Sequence, residues 1–187
     1  MADSISVRSD HQLTLAQLAA GLDHVRDAPG DIGSVAMISC RPAVDERVEL
    51  DSAELDVTLG LVSDSWSTRG TNPNPKAQVT VMNARAAQLV AGDRSRWALA
   101  GDQLYVDFDL SPTNLPPGAQ LAIGSAVLEV SDQPHLGCLK FTGRFGAAAR
   151  ELANSPAGTA LSIRGINTRV VQSGTVRRGD LVRKLLG

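Results

Sequence analysis

The stretch PHLGCLKF, residues 134–141, brings three side chains capable of chemistry close together in the sequence. Cys138 has His135 three residues before it and Lys140 two residues after it. A nearby cation lowers the pKa of a thiol and favours the thiolate, which is the form that acts as nucleophile or soft metal ligand. An unpaired cysteine is also a common apolar filler of protein cores. Both interpretations of Cys138 stay open, and His135 is either a hydrogen-bonding or proton-donating residue at the site or a structural histidine.

Positive charge accumulates in the last third of the chain and could serve an anion near Cys138. Guanidinium groups match the oxygens of a phosphate, so a converging subset of arginines would form a phosphate pocket. Lys140 and Arg144 are the cations nearest to Cys138 in the sequence, and Arg164 precedes a glycine, where backbone can approach a ligand closely. We therefore predict Lys140, Arg144 and Arg164 as anion-binding residues.

Other catalytic and metal-binding motifs find no support in the sequence. A Gly-x-Ser-x-Gly elbow, a phosphate loop and a Gly-x-Gly-x-x-Gly fingerprint are all absent. The spacing of His135 and Cys138 suits half a zinc site, but a closed structural site needs four ligands. The remaining candidates, Cys40, His11 and His24, form no second closely spaced pair. Cys40 ends a predicted strand, and we expect it in the core or at a strand edge.

The elements that must position these residues begin with a helix. Apolar residues recur at helical spacing over residues 13–25, which predicts one apolar helix face. Thr14 with Gln17 fits a capping box, and Pro29-Gly30 ends the segment. We therefore expect an N-terminal helix before the main domain.

Short strands dominate the rest of the chain. Segments rich in β-branched residues predict strands over residues 34–39, 77–83, 103–109, 119–123, 126–131 and 168–172. Gly124-Ser125 predicts a two-residue hairpin turn, and short helices are predicted over residues 84–90 and 144–154. Residues 67–78 form the most loop-like segment, either a lid or a linker. The fold class is mostly β with short helices (α+β), and the strand spacing favours a closed or strongly curved sheet.

Composition sets limits on partners and location. The chain has 187 residues, 43% hydrophobic and 20% charged, with a formal net charge of -2, which is typical of a globular domain. The net charge and the 3% aromatic content argue against nucleic acid as a partner. No run of 18 apolar residues and no secretory signal is recognised, so we expect no membrane span. Two cysteines make no disulfide framework, which favours a cytoplasmic location.

Three segments carry a shared motif pattern: NLPPGAQLAIGSAVLEVSDQPHLGCLKFTGRFG at residues 114–146, RGINTRVVQSGTVRRGDLVRKL at residues 164–185 and TLGLVSDSW at residues 58–66. Together they resemble one known family, the MOSC domain, named for the C-terminal domain of molybdenum cofactor sulfurases. The resemblance is strongest over residues 101–183. It implies a barrel-like curved sheet, here a MOSC-like β-barrel domain of residues 31–187 after an N-terminal helical extension of residues 1–30.

The resemblance also implies a cofactor and a function. Its motif cysteine, here Cys138, either ligates the molybdenum of the molybdenum cofactor (molybdopterin) or carries sulfur as a persulfide. The phosphate of that cofactor would give the predicted cations their ligand, and Asn114 is a further candidate contact or a residue that stabilises its own turn. Some relatives reduce N-hydroxylated compounds with electrons from separate electron-transfer proteins. A non-catalytic binding domain is the third interpretation.

Two departures from the family pattern and one expectation about partners complete the comparison. The family's Gly-Glu-Asn-Leu is replaced by residues 112–115, Pro-Thr-Asn-Leu, so the acid is lost. Ser63-Asp64 replaces its Gly-Asp. The family is associated with pyridoxal phosphate through a sulfurase domain, which we do not recognise in these 187 residues. We therefore expect a sulfur-donor or electron-transfer protein, and a small-molecule substrate, as partners.

Overall fold

The computed structural model describes residues 12–185, which form eleven strands and six α-helices. The strands are β1 (Ile32–Cys40), β2 (Val48–Leu50), β3 (Ser52–Asp56), β4 (Gly60–Leu61), β5 (Val79–Asn83), β6 (Leu104–Asp107), β7 (Gln120–Ile123), β8 (Ala126–Val130), β9 (Ile166–Gln172), β10 (Gly174–Arg177) and β11 (Leu181–Leu185). The helices are α1 (Leu15–Ala20), α2 (Leu22–Arg26), α3 (Ala84–Ala91), α4 (Leu139–Phe145), α5 (Ala147–Asn154) and α6 (Pro156–Ala160). Two 3-10 segments, Pro75–Ala77 and Arg94–Ala100, complete the regular structure.

Seven of the strands close into a barrel. Their order is β1-β11-β7-β8-β9-β5-β6, and β6 pairs with β1 again to complete the circle. Every neighbouring pair is antiparallel except β5 and β6, which are parallel. Strand β2 extends the edge of β1, and β10, β3 and β4 form a separate small sheet. The prediction of an α+β fold with a barrel-like sheet and an N-terminal helix is confirmed.

Strand β6 shows why the barrel has two hydrophobic layers. Leu104, Val106 and Phe108 alternate along the chain and lie fully buried in the cluster that fills the barrel. Tyr105 lies on the opposite face, equally buried in a second cluster beneath the helices, where its hydroxyl donates to the Trp97 carbonyl at 2.7 Å. A strand buried on both faces therefore separates the barrel interior from the helical layer.

The predicted helices exist but are interrupted by glycines. The predicted helix over residues 13–25 forms α1 and α2, with the Thr14 and Gln17 capping box in place and a break at Gly21. A Cβ atom at Gly21 would lie 2.3 Å from a methyl carbon of Leu89, so a larger residue there would require the Leu89 side chain to move. The helix predicted over residues 144–154 is also divided, at Gly146, which has φ 92°. Its first part, α4, begins five residues earlier than predicted, directly after Cys138.

The crossover between the two parallel strands brings chain to the rim of the barrel. Because parallel neighbours cannot be joined by a hairpin, the chain leaves β5 through α3 and the 3-10 segment Arg94–Ala100 before it enters β6. Gly101, in the left-handed region at φ 88°, and the fully buried Asp102 follow that segment. They lie where the candidate site forms. Within residues 12–185, no helix is long and apolar enough to cross a bilayer.

Candidate functional site

Cys138 is an exposed residue at the end of the loop that precedes α4. It occupies the N-cap position of that helix with extended backbone, φ -98° and ψ 179°. Cys40, in contrast, is buried at the end of β1, as predicted, and its thiol contacts the Ser63 carbonyl at 3.0 Å. The interpretation of Cys138 as a packed core filler is therefore wrong.

Side chains from two other elements hold the loop that carries Cys138. The Asn154 side chain of α5 accepts a hydrogen bond from the Gly137 backbone N–H at 2.7 Å and donates to its carbonyl at 3.0 Å. Arg150 donates to the same carbonyl at 3.1 Å. Upstream, Asn167 of β9 donates to the Gln133 carbonyl at 3.1 Å. Because both ends are held by the scaffold, the position of the Cys138 thiol is defined by packed elements.

A cavity of about 320 Å³ lies beside Cys138 and is strongly cationic. Asp45 is the single carboxylate among the described residues that line it. Six cationic residues line it: Arg41, Arg47, Arg69, Lys140, Arg144 and Arg164. Such an excess of positive charge in a concave surface attracts an anion.

Two of these arginines, Arg41 and Arg144, are fixed by contacts with other parts of the protein. Arg41 makes a two-pronged ion pair with buried Asp64, with both nitrogen–oxygen distances at 2.9 Å, and its third nitrogen donates to the Gly101 carbonyl at 2.8 Å. Arg144 donates to the Leu99 carbonyl at 2.7 Å and lies 3.6 Å from the Asp45 carboxylate. These contacts hold the two guanidinium groups in place before any ligand binds.

The other cations of the cavity keep their charge available. Within residues 12–185, Arg47, Arg69 and Lys140 form no ion pair with a carboxylate. Burial lowers the pKa of Arg47, and the neighbouring charges of Arg144 and Arg41 lower it further. Like charges held this close repel one another, so an anion among them would be stabilised by relieving the repulsion.

Arg164 belongs to a buried polar cluster on the inner side of the cavity. Its side chain is 9% exposed, and Asp102, which it contacts at 2.6 Å, is fully buried. Arg164 also donates to the Ala100 carbonyl at 2.9 Å and lies over the Phe141 ring, 5.2 Å from its centre. His135 completes the cluster, with its Nδ1 atom 3.6 Å from the second carboxylate oxygen of Asp102.

The cluster sets the charge of His135. Burial lowers the pKa of His135 to about 4, and the positive charges of Arg164 and Arg41 add to this effect while Asp102 opposes it. His135 is therefore a neutral imidazole near pH 7. A neutral ring can accept a proton or hydrogen bond at one nitrogen and donate at the other, but it adds no charge to the site.

Two opposing effects act on the Cys138 thiol. Partial burial raises its pKa, but the backbone N–H groups of Phe141 and Lys140 and the positive charge of Arg164 outweigh that effect. The net result is a pKa below the ordinary value for cysteine. Cys138 thus combines exposure with a preference for the thiolate, the two properties that a nucleophile or ligand needs.

The structure brings most of the predicted site residues together, but in different capacities. Cys138, Lys140, Arg144 and Arg164 all line the cationic cavity. His135 lies behind it, against Asp102. The structure does not bring Asn114 to this cavity: its side chain donates to the Gly30 and Asp109 carbonyls at 3.0 and 2.9 Å. The glycine after Arg164 meets β5 backbone, since a Cβ there would lie 2.4 Å from the Val81 oxygen, and this protein contact explains the glycine.

Sequence reasoning missed half of the cations. Arg41 and Arg47 follow β1, about a hundred residues before Cys138, and Arg69 comes from the loop of residues 67–78. Arg41, two residues after the predicted strand of residues 34–39, was the available indication, but the sequence does not show which other elements meet there. The same loop is anchored at its far end, where Asn74 donates to Gln133 at 2.7 Å.

A family model matches this chain over residues 72–183, and it is the model of the MOSC domain. The match covers more than half of the sequence and includes Cys138, Lys140, Arg144 and Arg164. The chain belongs to the MOSC domain family. Strands β5 to β10 and the cavity wall around Cys138 are thus parts of a MOSC domain.

Solved structures agree with the MOSC fold. The YuaD protein from Bacillus subtilis superimposes with a TM-score of 0.54 at 16% sequence identity, over 81% of this chain and 94% of that chain. YiiM from Escherichia coli superimposes with a TM-score of 0.55 at 18% identity, over 82% of this chain and 70% of that chain. At these identities the similarity establishes the fold only. A search of curated proteins finds no match.

The structure explains how this MOSC domain accommodates Ser63-Asp64 in place of the family's Gly-Asp. Ser63 adopts φ 74°, the left-handed conformation that the family's glycine would take without strain. Asp64, which is retained, accepts the two hydrogen bonds that fix Arg41. The retained acid therefore orients one cation of the cavity.

Proposed function

We propose that this MOSC domain binds the molybdenum cofactor, with Cys138 as a ligand of the metal and the cationic cavity as the site of the cofactor's phosphate. The observation that supports this most directly is an exposed, thiolate-favouring cysteine on the wall of a cavity lined by six cations. A thiolate beside a phosphate site matches a cofactor that carries both a metal and a phosphate.

The donor set fits a metal that brings most of its own ligands. Within residues 12–185, no group of three or more His, Cys, Asp or Glu residues could hold a metal ion. A single thiolate cannot hold zinc in a closed site, which takes four protein ligands. It can complete the coordination of a soft, sulfur-rich centre such as the molybdenum of this cofactor.

The cavity offers fixed and free cations for different purposes. Arg41 and Arg164 are fixed by Asp64 and Asp102, so they provide a charged wall of defined geometry. Arg47, Arg69 and Lys140 can each turn toward a phosphate, because no carboxylate of the described chain pairs with them. Binding by preorganised groups costs less conformational entropy than ordering all of them at once.

A bound molybdenum cofactor would supply a two-electron redox centre, which permits reduction of an N-hydroxylated small molecule when an electron-transfer protein provides the electrons. Leu139, next to Cys138, is 76% exposed, so the surface around the thiol is open to such a partner. Neutral His135 lies behind the cavity, where it could hold a proton. A reducing, cytoplasmic setting would keep the exposed thiol free.

One observation favours a second candidate function, that of a sulfur carrier. An exposed thiolate can attack the outer sulfur of a donor persulfide, forming a persulfide on Cys138 while the donor leaves as a thiolate. The same exposure of Cys138 supports this step. In that case the domain would pass sulfur to a cofactor or partner and retain no metal.

The test is molybdenum content together with intact mass, on protein purified without air from a host that makes the cofactor. Wild type, Cys138→Ser and Cys40→Ser are compared, and Cys40 is the matched control because it is buried. The proposal expects near-stoichiometric molybdenum in wild type and Cys40→Ser and its loss in Cys138→Ser. One extra sulfur on Cys138 without metal would favour the carrier. If wild type carries neither molybdenum nor an extra sulfur, both proposed functions fail and the third interpretation, a non-catalytic binding domain, is left.

A further inference from the structure

A second cavity shares Arg164 with the cationic cavity but is not lined by Cys138. Its volume is about 240 Å³, and its walls are mostly apolar. The loop before Cys138 contributes Pro134, His135 and Leu136, and the segment after α6 contributes Ile163. Arg164 lines both cavities, so the two are neighbours.

The buried polar cluster borders this second cavity, because His135 and Arg164 both line it. Among the described residues, the Nε atom of Arg164, the Nδ1 atom of His135 and one carboxylate oxygen of Asp102 are enclosed by protein and form no hydrogen bond, and the last two face each other at 3.6 Å. These three atoms lie inside the cluster and are not offered to the cavity. The second ring nitrogen of His135 is not among these buried unpaired atoms, and His135 lines the cavity.

The charge of the cluster indicates which ligand this cavity prefers. Asp102 neutralises Arg164 at 2.6 Å, and His135 is uncharged near pH 7, so the cluster carries no net charge. The first cavity, in contrast, has a large positive excess. A ligand of the second cavity is therefore not selected for negative charge. Its polar end must be able to donate and accept hydrogen bonds.

We propose that the second cavity binds a small neutral molecule with an apolar, ring-sized body and one amide-like end that hydrogen-bonds to the second ring nitrogen of His135. The volume suits this class, because an apolar cavity of about 150 Å³ already holds benzene. The remaining space accommodates the polar end. This site is distinct from the anion site beside Cys138 and does not depend on a bound metal.

The probe for the test is benzamide, with benzoate as its anionic counterpart, and the measurement is ligand-observed saturation-transfer NMR on the full chain. Thr159 lies exposed at the cavity, so Thr159→Phe fills the entrance without disturbing the core. The matched control is Ala157→Phe, an exposed position on the same helix that does not line the cavity. His135→Phe keeps the ring shape and removes both nitrogens.

We expect benzamide to bind wild type and Ala157→Phe equally, to lose at least tenfold in affinity in Thr159→Phe, and to weaken several-fold in His135→Phe. Arg47→Ala should leave benzamide binding unchanged, because Arg47 lines the other cavity only. The inference is overturned if benzamide does not bind, if it binds Thr159→Phe as well as wild type, or if benzoate binds better and loses affinity in Arg47→Ala. The last result would assign aryl binding to the anion cavity.

Discussion

Removing the Asp102 carboxylate should destabilise the protein by about 3 kcal/mol. Asp102 is fully buried and Arg164 is 9% exposed, so Asp102→Ala leaves a guanidinium charge buried without its partner. Breaking a buried ion pair from one side typically costs about 3–5 kcal/mol. Arg164 would keep its hydrogen bond to the Ala100 carbonyl and its contact with the Phe141 ring, which places the expected loss at the lower end.

Urea unfolding followed by tryptophan fluorescence measures this loss, because Trp97 is buried in the layer that packs on β6. With a slope of about 2 kcal/mol per molar urea, the midpoint should fall by about 1.5 M. Asp132→Ala is the control, since Asp132 and Lys76 form an ion pair with both side chains more than half exposed. That change should leave the urea midpoint close to the wild-type value, because exposed ion pairs contribute little to stability.

A double variant separates the destabilisation caused by a buried, unpaired charge from the net contribution of the ion pair to stability. Asp102→Leu with Arg164→Met removes both charges and should recover at least half of the stability that Asp102→Ala loses. If Asp102→Ala unfolds within about 1 kcal/mol of wild type, the two groups are not a desolvated pair and the description of the cluster is incorrect.

Three further predictions follow from the same contacts. Because the pKa of Cys138 is lowered, its alkylation rate should reach half its maximum at a lower pH than for an ordinary cysteine. Arg164→Met should move that midpoint to higher pH. An unchanged pH profile in this variant would refute the contribution of Arg164. The pKa of His135 is about 4 in the folded protein against 6.5 ordinarily, so its contribution to stability is complete above pH 6.5 and is lost as pH falls to 4. Urea titrations at several pH values measure this effect as a free energy of unfolding. Between pH 6.5 and 4, wild type should lose up to about 3 kcal/mol more of that free energy than His135→Phe does. Equal losses in the two proteins would contradict the buried neutral state of His135. Gly165→Ala should lower the melting temperature by several degrees, since φ is 94° and the new Cβ would lie 2.4 Å from the Val81 oxygen. An unchanged melting temperature in a thermal scan would show that the β5 backbone can move to make room.

The barrel could be predicted because its strands carry local patterns. The predicted strand over residues 103–109 contains β6, and the predicted turn at Gly124-Ser125 joins β7 to β8 in a hairpin. The short strand β2 lacks such a pattern, since two of its three residues are exposed. Closure of the circle between β1 and β11 joins segments about 150 residues apart, and local patterns do not contain that pairing.

The candidate site was predictable only where its residues are neighbours in the sequence. Cys138, Lys140 and Arg144 lie within one loop and the helix that follows, so spacing alone places them together. Arg41 reaches the cavity from β1, and its orientation depends on Asp64, which only the fold reveals. The burial of Arg164 with Asp102 likewise depends on the crossover between β5 and β6.

The central claim is that the cofactor binds at Cys138 and the cationic cavity. Its most direct test is an isothermal titration calorimetry experiment, carried out without air, in which purified molybdenum cofactor is added to metal-free protein. Arg47→Ala with Arg69→Ala removes two cations of the cavity, and Arg177→Ala with Arg183→Ala removes two exposed cations that line a different cavity. The account predicts one cofactor per chain, at least tenfold weaker binding in the first double variant and in Cys138→Ser, and wild-type affinity in the second. Equal affinity in all four proteins, or no binding to wild type, would contradict it.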